Sequence, residues 1–373
     1  MRKRVAVTTG ATLVALACVL SGAAVATAAP GSGAVSRGPA TRLAGGAARQ
    51  WPARTVLAEP LSLGITNQAV DPAAGADYVL ATAGQAFRLR RMPLSGAFVK
   101  VGPTFPVNGI GLGAGSVWVF GARSAGHGSL RLVLYQVNRS SLAVTRSWRL
   151  SGAQRRSGFV AVAPGGGGTE WVGFLRTVLR INARSGAIVA KIRLRSGLTV
   201  SDVAVDPAGR HLYVAANTEA GGSAVVEFAT ASLRELASNS GGDLRFSVGG
   251  ASATAVPGGV WVSFRTGMRG ETVLLRQVGL RTVKLPGAGQ PGSLFHWVMF
   301  ASTEFAGRSL FLARQDGIIA CLNPRTGAVR SRGRVAGLVG AGQLLASGPR
   351  GRPLYGLAPA ALIAITAPAA CQA

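Results

Sequence analysis

Seven short apolar runs punctuate this chain, each carrying one large ring and each entered from a Gly-, Ser- or Pro-containing turn or a polar residue. They are ADYVLA (Tyr78), GSVWVFG (Trp118), GTEWVGF (Trp171), RHLYVAA (Tyr213), GGVWVSF (Trp261), RSLFLAR (Phe311) and RPLYGLA (Tyr355). The rings recur at intervals of 40 to 53 residues. Strand-like runs repeating at such a period, with no helical periodicity between them, predict an all-β chain: a seven-bladed β-propeller of four-stranded antiparallel blades.

A second landmark follows each ring. VLYQVNRSSLAV, VLRINARSGAIV, AVVEFATASLREL, LLRQVGLRTVKL and IIACLNPRTGAV each read as a strand, a polar turn and a second strand, which is a hairpin. A further strand, such as GFVAVAP or VSDVAVD, precedes the ring. One unit is therefore four strands. The ring is expected to fill the wedge between stacked blades, because a large flat side chain supplies much apolar area there. The last unit runs out after ALIAIT (361–366), while ARTVLAEP (53–60) is a spare strand ahead of the first unit. We expect this N-terminal strand to complete the last blade and close the ring, which removes exposed sheet edges.

The segment VAVDPAGRHLYVAAN (203–217) resembles the repeat of the secreted YVTN-type propellers, in which a strand, an Asp-Gly turn and a Tyr-Val-x-Asn run recur. The likeness is close in this unit and looser in the others, where Trp or Phe replaces Tyr. LNPRTGAV and INARSGAIV resemble the family's turn after the third strand. The resemblance spans residues 53–373. It implies architecture more than chemistry, since propellers host binding proteins and enzymes alike.

The N-terminus reads as an address. Arg2, Lys3 and Arg4 precede an uncharged apolar run, Val5 to Val25, and then Ala26-Thr27-Ala28. This is the pattern of a secretory signal peptide over 1–28. The expected location is secreted or otherwise extracytoplasmic, with no membrane span after cleavage. An uncleaved signal, or lipidation at Cys18, would place the chain on the cell surface. Residues 29–52 are rich in Gly, Ala, Pro and Ser and read as a flexible linker, leaving 53–373 for the propeller. Cys321 and Cys371 remain in the mature chain. In an oxidising compartment they form a disulfide; the alternative is two free thiols, one in a strand and one in the tail.

The chain has 40 Lys plus Arg against 13 Asp plus Glu, and only four of the cations are lysines. Such a balance points to an acidic partner, or to a nucleotide composition that inflates Arg, Ala and Gly together. The arginines are scattered singly, which argues against specific nucleic-acid binding.

No HExxH, CxxC or GxSxG motif occurs, and the three histidines, His127, His211 and His296, fall in separate units. His211 and His296 read as incidental, and no catalytic residue, metal site or cofactor is expected. The loops following the aromatic strands share one face of a propeller. They carry Arg123, His127, Arg176, Glu219, Arg265, Arg269, Glu271, Arg314 and Asp316, and Arg155 and Arg156 lie in a connection that joins them. Arg presents a planar fork suited to carboxylate or phosphate, so this face is the candidate binding site for an anionic ligand. The expected function is a non-catalytic, monomeric interaction module for an unknown protein, glycan or anionic envelope component. The alternative is a lyase or hydrolase resembling streptogramin lyases, in which His127 and Glu219 or Glu271 meet at the channel mouth, with Mg²⁺.

Overall fold

The computed structural model describes residues 49–58, 65–72, 74–83, 86–94, 100–105, 109–113, 115–124, 130–150, 160–248, 250–267, 269–290, 292–298, 301–339, 343–347, 353–358 and 361–372. The expected signal peptide over 1–28, Cys18 and the linker up to residue 48 lie outside them, as do His127, Arg155 and Arg156.

Seven antiparallel sheets follow one another along the chain, and no α-helix occurs among the described residues. Blade 1 is Ile65–Asp71, Ala76–Ala83, Ala86–Pro93 and Lys100–Phe105. Blade 2 is Gly109–Leu112, Ser116–Ser124, Leu130–Asn138 and Val144–Leu150. Blade 3 is Val160–Gly166, Thr169–Phe174, Thr177–Asn182 and Ile188–Arg193. Blade 4 is Leu198–Val205, His211–Thr218, Ser223–Ala229 and Glu235–Asn239. Blade 5 is Ser252–Val256, Gly259–Thr266, Arg269–Arg276 and Thr282–Val283, and the short strand His296–Val298 adds to its third strand. Blade 6 is Ala301–Ala306, Ser309–Arg314, Asp316–Leu322 and Val329–Val339. Blade 7 takes Gln343–Ser347, Leu354–Ala358 and Ala361–Ile365, and its fourth strand is Ala53–Ala58, paired antiparallel with Ala361–Ile365. The first strands of neighbouring blades contact each other, blade 7 with blade 1 included, so they surround the central axis. The result is the expected seven-bladed propeller.

Each ring sits in the second strand of its blade. These strands are apolar on both faces and buried almost throughout, as in Ser309–Arg314 or Gly259–Thr266, because a neighbouring blade covers each side. Fourth strands face solvent and are mostly exposed, as in Ile188–Arg193. Tyr78, Trp118, Trp171, Tyr213, Trp261 and Phe311 are buried. Tyr355 is half-buried against Val70 and Leu362, between blades 7 and 1. Several ring tips cross to the following blade. Tyr78 Oη donates to Arg139 O (3.2 Å) and Trp261 Nε1 to Pro324 O (2.8 Å). Trp118 Nε1 donates to the carboxylate of Glu170. Trp171 instead lies under the Arg180 guanidinium, 5.5 Å from the ring centroid.

The turns between the third and fourth strands share one chemistry in blades 2, 3 and 6. Asn138, Asn182 and Asn323 each accept two backbone N–H bonds through Oδ1, from residues two and three positions on. The fifth residue of each turn is left-handed: Leu142, Gly186, Leu233, Leu280 and Gly327. For leucine this conformation costs about 1–2 kcal/mol. Leu142 and Leu280 are buried between blades, and such burial returns about 1.5–3 kcal/mol. At 327 the same plug is impossible, since a Cβ would come within 2.6 Å of Leu285 and 3.2 Å of Trp261. Glycine stands there because Leu285, with the Trp261 indole beside it, already occupies the space.

The first and last of the described segments are tied to blades 6 and 7. Trp51, at the end of the segment whose composition reads as a linker, is buried with Phe311, Val335 and Leu354. Its N–H donates to Arg334 O (3.1 Å), and Arg334 N–H donates to Arg49 O (3.1 Å). Cys321, in the third strand of blade 6, is disulfide-bonded to Cys371 in the C-terminal turn, 50 residues away. A closed loop of that length is worth up to about 4 kcal/mol.

The rings give graded expectations for equilibrium unfolding in urea. Trp261→Ala should lower stability by about 3–5 kcal/mol. Tyr78→Phe should cost about 1 kcal/mol for its lost hydrogen bond. Tyr213 Oη is buried with no hydrogen-bond partner, so Tyr213→Phe should be neutral or stabilising.

Candidate functional site

In a four-stranded meander, the hairpin between strands 2 and 3 and the link to the next blade lie at one end of the sheet. All sequence-predicted site residues with described positions fall at that end. Arg123 lies near the end of the strand Ser116–Ser124. Arg176 turns inward: its Nη2 donates to Leu194 O (3.1 Å), which holds the link into blade 4. Glu219 is exposed in the turn after His211–Thr218, and its N–H donates to Gly197 O (2.9 Å). Arg265, Arg269 and Glu271 belong to the blade 5 hairpin. Glu271 Oε1 accepts from Thr266 Oγ1 (3.0 Å).

The structure brings Arg314 and Asp316 together. Arg314 Nη2 donates to Asp316 Oδ2 (2.7 Å) and Nη1 to Ser293 O of blade 5 (3.0 Å). Burial of this guanidinium pushes its pKa down; the Asp316 carboxylate offsets that, and Arg332 and Arg334 push the same way as burial. A cation this enclosed, at 8% exposure, is tied into the blade 5–6 junction. His296 is the cross-strand partner of Glu271. It is buried, and neither ring nitrogen has a hydrogen-bond partner.

One feature of this face lies outside the sequence-predicted set. After blade 4 the link forms a short 3₁₀ turn, Gly242–Phe246. Leu244 and Ser247 are buried, and Ser247 Oγ hydrogen-bonds Ser223 Oγ (2.5 Å). Val248 N–H donates to Arg265 O (2.5 Å). This fixed turn presents Phe246 at 67% and Val248 at 56% exposure, beside exposed Arg245. The segment DLRFSV is half apolar, and nothing in it marks Phe246 and Val248 as exposed while Leu244 is buried.

His211, read from the sequence as incidental, has an acid partner. Its Nδ1 lies 2.8 Å from Glu227 Oε1, because both residues sit at the start or end of paired strands in blade 4. Glu227 is buried, and desolvation raises its pKa. The hydrogen bond and charge of His211 pull it down, and Asp206 pushes it further up. This pair lies at the opposite end of the sheet from the predicted site, beside the turn joining the first two strands.

No protein-family model and no curated protein sequence matches this chain. Among solved structures it is similar to BamB from Moraxella catarrhalis, with 15% identity, a TM-score of 0.52, and 81% of this chain covering 82% of that one. It is also similar to a chain of the Mitotic Checkpoint Complex (10% identity, TM-score 0.58, 91% and 99% covered). A third is the Pan2 WD40 domain of Neurospora crassa (10% identity, TM-score 0.56, 85% and 95% covered). At these identities the likeness is one of fold.

Asp202 couples blades 4 and 5 and sets a pH expectation. Its carboxylate accepts from Val203 N–H and Ala253 N–H, both at 2.8 Å. Burial raises its pKa from 3.8 to about 6, against the opposing pull of those two bonds. The folded state therefore holds this proton more tightly than the unfolded chain does. Its contribution to stability is present at low pH and is lost as pH rises from about 4 to about 6. The stability of wild type relative to Asp202→Asn should fall across that window, as measured by urea midpoints on either side of it.

Proposed function

We propose that this propeller is a non-catalytic binding module that works outside the cytoplasm, belongs with the YVTN-type secreted propellers, and grips a protein partner through its strand 2–3 hairpin face. The observation that carries this reading is Phe246. A large ring held 67% exposed by a turn with a buried base is costly to leave in water and supplies the kind of aromatic anchor that dominates binding energy at interfaces. Arg245 and Arg269 are exposed on the same face. They favour a partner surface that sets carboxylates around an apolar pocket, since charge complementarity fixes orientation and speeds encounter.

Two observations support the location and the family. The Cys321–Cys371 disulfide suits an oxidising compartment. The turn of the YVTN-like unit also occurs in blade 1, where AVDP (69–72) is followed by Tyr78 at the same offset as in AVDP (204–207) and Tyr213.

The test is capture from envelope extract with wild-type chain and Phe246→Ala, each at low and moderate salt. Wild type should retain a partner at both, and the variant should bind it at least about thirtyfold more weakly, the effect of losing an anchor worth about 2 kcal/mol. Partners that leave both proteins equally at moderate salt would show charge attraction alone and overturn the reading.

A further inference from the structure

The two AVDP turns both open on an aspartate at the end of a first strand, but their aspartates are completed differently. In blade 1, Asp71 ends the first strand, and the following blade answers it. Arg139, second residue of the blade 2 turn, donates through Nη1 to Asp71 Oδ2 and through Nη2 to Gly113 O. That guanidinium is a clasp between blades, with one charged and one neutral acceptor.

Blade 4 repeats the acceptor, and blade 5 does not repeat the donor. The blade 5 turn, 276–280, aligns with 138–142: both end in a buried left-handed leucine, Leu280 and Leu142. The alignment puts Gln277 where Arg139 stands. Asp206 is 8% exposed; its Oδ1 accepts from Arg210 N–H (2.6 Å) and His211 N–H (2.8 Å), and it forms no ion pair among the described residues. A cavity of about 480 Å³ lies here, lined by Asp206, Pro207, Arg210, His211, Gly258 and Gln277 among others. His211 brings its partner Glu227 close behind the wall. The lining thus sets one carboxylate, Asp206, beside one cation, Arg210, in a chain of net charge +27.

We propose that this cavity binds the guanidinium group of an arginine side chain presented from outside the chain, which completes between blades 4 and 5 the clasp that Arg139 makes between blades 1 and 2. Asp206 Oδ2 is the charged acceptor, and the Gln277 amide oxygen, which replaces the internal arginine, is a neutral one. A planar fork can use both at once; an ammonium acts as a point charge and gains less. The site is at the opposite end of the sheets from the Phe246 face, so it does not depend on the function proposed above.

The test uses the full chain and isothermal titration with N-acetyl-arginine amide, its citrulline counterpart and a Gly-Arg-Gly peptide. Arginine amide should bind saturably, and the neutral, nearly isosteric citrulline at least about tenfold more weakly, a difference of about 1.4 kcal/mol. Tighter binding of the peptide would identify a polypeptide source; equal binding would identify a free guanidine. Gln277→Arg should install the clasp internally, abolish binding and raise the thermal midpoint. Asp206→Asn should weaken binding at least about tenfold, and Arg210→Ala should bind at least as well as wild type. Equal affinity for citrulline, undiminished binding by Gln277→Arg, or no binding of any probe to the wild type would overturn the proposal. Gln277→Arg keeps the test decisive should Asp206→Asn fail to fold.

Discussion

The second strand of each blade is sealed between two neighbouring sheets, and the whole architecture rests on what happens at that seal. A ring such as Trp261 is sealed by apolar side chains of blades 5 and 6, and the blade 6 turn comes across to meet its N–H with Pro324 O. At that turn Gly327 leaves room for Leu285 and the indole. Where the earlier blade offers Tyr78 or Tyr213, a leucine in an unfavourable backbone conformation, Leu142 or Leu280, fills the remaining gap. Blade-to-blade affinity is thus set by pairs of complementary volumes, ring and turn, with hydrogen bonds fixing the register.

Much of this arrangement could be read from the chain. The seven rings, the strand order and the pairing partner of 53–58 follow from apolar alternation and turn residues, because those signals are local and repeat. Trp51 escaped the same logic: a single apolar residue in Gly-Ala-rich surroundings has no period, and its burial depends on blade 6, almost 300 positions away. The same holds for His211 and Glu227. Sixteen residues separate them, and only the register of two paired strands sets one against the other.

The candidate surface was legible in outline and not in detail. The candidate residues with described positions share an end of the blades, as meander topology requires. Their chemistry differs from what composition implied. Arg314 is committed to Asp316 and Ser293, and Arg176 to Leu194, so part of the arginine excess holds the scaffold together. The exposed apolar knob at Phe246 was hidden because one ring in a loop looks like any core residue until its surroundings are known.

Blade 7 joins Ala53–Ala58 to strands that follow the other six blades in the sequence, and Cys371 is bonded back to blade 6 from the turn after them. The last sheet cannot be completed until the six intervening blades have been made. Pairing of those two segments must wait for all of them, and the disulfide then secures the result.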